Sequence, residues 1–490
     1  MFVDSVDSDI APSGTLLGLL QRGRGDGTLH ALAAPRAEAL AALRQCVLHD
    51  PRRDWQIEHR SLYYARLHME LDASLDDIEE HLFAPEDGLP SAGDCEMRTG
   101  LALSVLGHLA SYENAGATRL LRRYATSGAN WQWALDELAV RDEDEGLRGL
   151  GPAVLSRFPH TAEGDAELAA AARDAFEPRP WRLWAEDPAR PEQAERLRRV
   201  REAGCFDRWQ RQLHAQGPRP GWSVREVLDW AQDGYEQHPR VSREAAAARC
   251  LSAVAAPEDR AELLDAARGQ REAARAAALR HLAGHGDPDA LDLIELAAAE
   301  PSETVAEAAL CAFARMRSTA AVVRARQWVS APAGSLPARL TTVAAEMLAC
   351  CGAAQDAEAV LGALRRTVRE EGPDSDELWP LVDGVGRLGV ECAAPVLRHI
   401  YRETASSQLR GRAAGALALT DPSFAAGFAV ECLWDCEETT RAVAAEYAAT
   451  GDERVVERLR RLAADPAEEA GVQSAVRGRL SPGTGAEAGR

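Results

Sequence analysis

The 490-residue sequence has no lysine: all 56 of its basic side chains are arginine. No Schiff-base amine, P-loop cation or catalytic ammonium can therefore come from this chain. Codon supply in a GC-rich genome accounts for the bias and for the presence of only five isoleucines and two asparagines, and avoidance of amine modification is the other explanation. Aromatic residues make up 5% of the chain while alanine dominates long stretches, which excludes a β-sandwich or barrel and favours a helical array. No apolar run reaches the roughly 18 residues of a membrane span. Asp4, Asp7 and Asp9 stand where a secretion signal needs positive charge, so a cytoplasmic protein is expected. The ten cysteines include no CxxC pair, and the alanine-rich surroundings of Cys250 and Cys311 point to reduced, buried thiols. A GxSxG elbow, a P-loop and a GxGxxG after a strand are all missing, so enzyme readings have no specific anchor and no cofactor is expected.

The formal charge is −21, which argues against nucleic acid as a partner, since affinity for a phosphate backbone comes from neutralising many anionic groups. Helical segments start near Ser242, Gln270, Ser302, Ser335, Asp374, Ser406, Glu438 and Ala467, at intervals of 28 to 39 residues. Each unit has an alanine-rich amphipathic helix, a turn with Gly, Asp or Pro, and a second helix. In the clearest of them, from Glu272 to Ala299, Gly284, Asp287 and Pro288 read as a C-cap, an N-cap and a first helical residue. The alanines of AARAAALRHL, Ala277 among them, belong at helix–helix contacts. A lone helix pair cannot bury its apolar stripe, so neighbouring pairs must stack around one continuous core.

From Ser242 to Leu480 the sequence resembles a run of short HEAT repeats, carried by VAEAALCAFARM with TAAVVRARQWV and by GRAAGALALTDPSFAAGFAVECL. Armadillo-like stacking fits the same degenerate signature. The whole sequence is similar to HEAT-repeat proteins of high-GC bacteria, a resemblance that brings no activity with it. The resemblance implies an all-α, HEAT- or armadillo-like α-solenoid with a protein-interaction surface. Residues 1–11 form a flexible N-terminus in this reading, 12–175 an irregular helical-repeat array and 176–241 a Trp/Arg/Pro-rich connector. The HEAT-like repeats then occupy 242–480, and a disordered tail 481–490. Asn114 and Asn130 stand at helix starts, where capping accounts for them.

Isolated chemical clusters read as structural. His281 and His285 lie four apart but lack the glutamate of HExxH, and the acidic run Asp142 to Glu145 lacks the ligand order of a calcium loop, so no metal is expected. Glu58 with His59 and Glu80 with His81 are neighbours on a helix and point about 100° apart. The connector is different, because residues 176–225 carry eleven arginines against seven acids in an otherwise acidic protein, together with Trp181, Trp184, Trp209 and Trp222. Arg and Trp are the side chains enriched at binding hot spots. Trp181, Arg182, Trp184, Arg208 and Arg211 are therefore the first candidates for partner contact. In the second helices of the repeats, counting six residues on from Val322, Val360, Val396 and Val455 gives Trp328, Arg366, Arg402 and Arg461. Trp328, Arg366 and Arg402 join the candidates, the two arginines as a basic strip.

The expected function is a non-catalytic scaffold or adaptor that binds another protein through an acidic or phosphorylated segment. The alternative is an enzyme on a HEAT-like scaffold. Some such solenoids are alkylpurine DNA glycosylases, and the resemblance implies that Trp131, Trp133 and Asp136 would hold and excise a damaged base.

Overall fold

The computed structural model describes residues 10–52, 59–85, 92–200, 221–237, 243–332 and 334–480. All regular structure among them is helical, and none of these helices is long and apolar enough to cross a membrane. Side-chain caps start several helices: Thr15 accepts from the Gly18 N–H, Asn114 from Ala117, Thr161 from Gly164, Ser302 from Val305 and Ser318 from Ala321. Asn130 also stands at an N-cap, but its amide donates to Thr99 Oγ1 (3.3 Å) and makes no cap bond. The turn after Glu272–Gly284 is shifted by two residues from the sequence reading. Gly286, at φ +69°, takes the left-handed conformation, and Asp287 accepts from the Asp289 N–H (2.9 Å) before the next helix begins at Ala290.

The protein divides into two compact units. Unit 2 consists of residues 215–400 and 419–421. In it the helices Glu244–Val254, Glu272–Gly284, Glu303–Arg315, Ala338–Cys351 and Leu378–Arg387 pack each on the next of the row, with a further helix between each pair of neighbours. Alanine allows the close approach: Ala276, Ala277 and Ala278 are fully buried, and Trp328 lies against Phe313 at 4.5 Å between ring centroids. Arginines tie one helix pair to the next, Arg260 to Asp287 (2.6 Å), Arg275 to Glu300 (2.6 Å), Arg324 to Glu295 (2.6 Å) and Arg326 to Asp356 (2.9 Å). Most of these pairs are two-pronged, a geometry the guanidinium has and an ammonium lacks.

Unit 1 joins the two ends of the sequence, residues 1–214 with 401–418 and 422–490. The stretch read as C-terminal repeats thus contributes to both units. Its core runs from Leu16 and Leu20 through Tyr63, Tyr64, Leu67, Leu103 and Leu138 to Trp181 and Trp184, and Cys436 from the C-terminal part lies in the same cluster. Glycines let the ends meet. The Gly23 carbonyl accepts from the Cys436 N–H (2.8 Å), and a Cβ on Gly25 would fall 1.8 Å from the Glu431 carbonyl oxygen. Arg24 donates to the Arg402 carbonyl (2.6 Å), and Ser13 donates to the Glu403 carboxylate (2.7 Å).

Candidate functional site

The most elaborate polar assembly of unit 1 lies where its N-terminal and C-terminal segments meet. On the helix Arg60–Glu70, Arg66 reaches Asp465 (2.7 Å) and Glu468 (3.0 Å), and Tyr112 donates its hydroxyl to Asp465 (2.9 Å). Glu468 is shared with Arg441, which binds it through Nη2 (2.6 Å) and Nε (3.0 Å) and gives Nη1 to the carbonyls of Asp435 and Cys436. Arg410 holds Asp435 two-pronged at 2.9 and 3.1 Å. The Arg441–Glu468 and Arg410–Asp435 pairs have no exposed surface to speak of, whereas Arg461, paired with Glu70 (3.2 Å), stands in solvent.

Two adjoining cavities open beside this network, of about 450 and 530 Å³. Glu70, Trp434, Arg458 and Arg461 line both, Tyr63, Arg66, Tyr112 and Asp465 the first, and Leu29, Leu32 and Arg454 the second. Leu29, Leu32 and Met69 are large apolar side chains left exposed at this rim. Arg458 crosses Trp434 with its guanidinium carbon 5.1 Å from the ring centroid and donates Nε–H to the Leu433 carbonyl (3.1 Å).

The electrostatics follow from this crowding. Burial works against the charge of Glu468, but Arg441 and Arg66 outweigh it and hold its carboxyl below the usual range. Burial pushes the Tyr112 hydroxyl up to about 12. Burial, with Arg66 and Arg441 close by, brings Arg458 down to about 9, still a cation at neutral pH. Glu431, at the same junction, is raised to about 7 by burial and by Asp26. A carboxyl raised in the folded state contributes stability that is lost as pH rises from its unfolded value of about 4.3 through its folded value. Glu431→Gln should therefore match the native protein near pH 4 and gain over it progressively up to about pH 7, then hold a constant advantage. Thermal melts across that range check this, and an advantage that does not grow with pH would contradict it.

Every carboxylate of the network is engaged by arginine or tyrosine, and the two cavities have no serine or cysteine in their linings. The arrangement suits binding, with paired charges as a rigid wall and an apolar rim.

The sequence-derived candidates fall elsewhere. Trp181 and Trp184 are each 2% exposed, stacked edge-on at 5.2 Å, and Trp184 donates to the Leu147 carbonyl (2.7 Å). Arg182, on the same short helix, is exposed, and Arg208 and Arg211 lie outside the described residues, as does Trp209. Trp328, also 2% exposed, donates to Glu295 (3.2 Å) inside unit 2. These three tryptophans pack helices and present no free surface, because each occupies the inward face of its helix. Arg366 is exposed in unit 2, and Arg402 is exposed in unit 1 with its guanidinium 5.2 Å from the Phe428 ring centroid. Of the residues found by the six-residue count, Arg461 reaches the cleft.

The remaining clusters have ordinary packing roles. Trp131 meets Phe158 and Trp181 edge-on, Trp133 donates to Ser104 (2.9 Å), and Asp136 accepts from the Glu177 N–H (3.1 Å), so each has a separate partner. Burial raises Asp136 to about 6. His281 and His285 stack at 4.2 Å, and among the described residues no group of three or more His, Cys, Asp or Glu side chains could hold a metal. Asp142 is bound by Arg122 (2.5 Å) and Asp144 by Arg179 (2.5 Å). The eight cysteines whose side chains are described are free thiols, of which Cys46, Cys432 and Cys436 are buried. Against the expectation of burial, Cys250 and Cys311 are half-buried and Cys350 and Cys392 exposed, the last two because they sit on the outward side of a helix end and of a 3-10 turn.

Sequence reasoning missed Arg66, Trp434 and Arg458, since nothing local announces that residues about 400 positions apart share a cleft. No protein-family model and no curated protein matches this sequence.

Proposed function

We propose that this protein is a non-catalytic cytoplasmic adaptor, a HEAT-like α-solenoid that binds an acidic segment of another protein in the cleft of unit 1. The observation that carries the reading is the cleft's composition: exposed Leu29, Leu32 and Met69 and the Trp434 ring, with Arg454, Arg458 and Arg461 among Glu70, Glu453 and Glu457. Apolar side chains left exposed around a concave site mark binding surfaces, and Arg458, with no carboxylate within ion-pair distance among the described residues, offers an acidic ligand an open guanidinium there. The row of packed helices in unit 2 and the arginine ties between successive pairs support the repeat architecture. The free thiols suit a reducing compartment.

Selection of a random peptide display library on the full-length protein tests the reading. Acidic peptides containing leucine or aromatic residues are expected, and the double variant Arg454→Glu, Arg461→Glu should lose them with an unchanged melting temperature. Both side chains are solvent-exposed, so the substitutions should cost the fold no more than about 0.5 kcal/mol. Enrichment of neutral or basic peptides, or equal binding by the double variant, would refute the proposal.

A further inference from the structure

Among the arginines around the cleft, Arg458 differs in its bonding. Arg66, Arg410, Arg441 and Arg461 each hold at least one carboxylate. Arg458 has no carboxylate within ion-pair distance among the described residues. Its only protein hydrogen bond there is the one from Nε–H to Leu433, which leaves four of its five N–H groups without a protein acceptor. Those groups are not sealed in the interior: the residue is only partly buried and lines both cavities. A guanidinium held from behind by a carbonyl, laid across an indole and open on its far edge is prepared for a planar, two-pronged acceptor.

Charge decides what that acceptor is. Arg66, Arg410, Arg441 and Arg461 are each paired with a carboxylate, and Arg458 is the guanidinium of this group without one. An unpaired guanidinium partly withdrawn from water raises the free energy of the site. A monoanion pairs with it, whereas the second charge of a dianion meets the carboxylates of Glu70, Glu453 and Glu457 in the same cavity. Next to the open edge lie Trp434, Leu29 and Leu32 in the same cavity, a surface for an apolar group of the same ligand.

We propose that Arg458 is the anion seat of the unit 1 cleft and takes a single carboxylate from a peptide whose neighbouring residue is apolar. The carboxylate can be that of an Asp or Glu residue or a free peptide C-terminus. The inference rests on the adaptor reading and sharpens it, replacing the acidic or phosphorylated segment by a carboxylate-bearing one.

The test uses the full-length protein and four labelled eight-residue peptides of alternating leucine and serine, read by fluorescence anisotropy. The first is an amide with one central glutamate, the second has glutamine there, the third phosphoserine, and the fourth is the glutamine peptide with a free C-terminus. The glutamate amide, or the free C-terminus peptide, or both, should bind at least about tenfold tighter than the glutamine amide, as for a charge-assisted two-pronged bond. Which of them does so identifies the source of the carboxylate. Arg458→Gln should abolish that preference, and Arg458→Lys, which keeps the charge and the fold, should retain only part of it. Equal binding of the glutamate and both glutamine peptides, tightest binding of the phosphoserine peptide, binding of none of the four, or an undiminished preference in both variants would overturn the seat. Failure here leaves the display selection and its Arg454 and Arg461 dependence standing, and the reverse also holds, so the two readings fail separately.

Discussion

Gly25→Ala should destabilise unit 1 by about 2 to 4 kcal/mol, although alanine is the better helix former at that place. Gly25 opens the helix Gly25–Ala33, and by propensity alone the exchange would gain about 0.5 to 1 kcal/mol. Space decides against propensity. The new Cβ would lie 1.8 Å from the Glu431 carbonyl oxygen, 2.8 Å from its carbon and 3.0 Å from the Asp435 nitrogen, all backbone atoms that no rotamer change can move. The two segments would have to separate, and the bond from the Cys436 N–H to the Gly23 carbonyl would lengthen with them. Gly23→Ala carries a similar penalty by a different route, since Gly23 sits at φ +68° and its Cβ would fall 2.3 Å from Cys436 Sγ. Gly14→Ala, where nothing lies within 4 Å, is the control and should stay within about 0.5 kcal/mol of the native protein. Urea melts of the three variants decide, and a Gly25→Ala protein as stable as the control would mean that the N- and C-terminal segments are not held in this contact.

The contrast between Gly25 and Ala277 shows what a sequence exposes. Ala277 stands in a helix whose alanine run, period and flanking turn all indicate close packing within a few tens of residues, and it is buried as that pattern implies. Gly25 has no such neighbours in sequence; its partner is 406 positions away, and nothing in RGRGDG points to it. Contacts of this kind are set by the tertiary path of the polypeptide, and a single sequence holds no periodicity for them. The aromatic connector fails for the opposite reason. Trp181 and Trp184 are conspicuous by residue type, but tryptophan marks buried packing as readily as binding, and the three-residue spacing places both on one inward face. Arg461 is reachable because a register count within a repeat is a local signal, whereas Arg458, three positions earlier, gains its meaning only from Arg66 and Arg441 beside it.

Glu468→Gln should be the most damaging of the conservative exchanges in unit 1, costing about 3 to 5 kcal/mol at neutral pH. Glu468 lies between Arg441 and Arg66, and its removal leaves the Arg441 guanidinium fully buried without a countercharge. Desolvating such a pair is expensive, so its net worth is small even though breaking it is costly. For that reason the double variant Arg441→Met, Glu468→Gln should recover part of the loss, while Arg66 keeps Asp465. The pH dependence has a definite sign. A carboxyl whose folded value lies below its unfolded one contributes stability that is complete above the unfolded value of about 4.3 and is lost as pH falls through the folded value. The native protein and Glu468→Gln should thus differ most at pH 7 and converge in acid, the opposite sense to Glu431, whose glutamine variant gains as pH rises. Chemical denaturation at pH 7 and at about pH 3 separates the two. A Glu468→Gln protein within about 0.5 kcal/mol of native at pH 7 would show that the buried network does not hold the two ends of the sequence together.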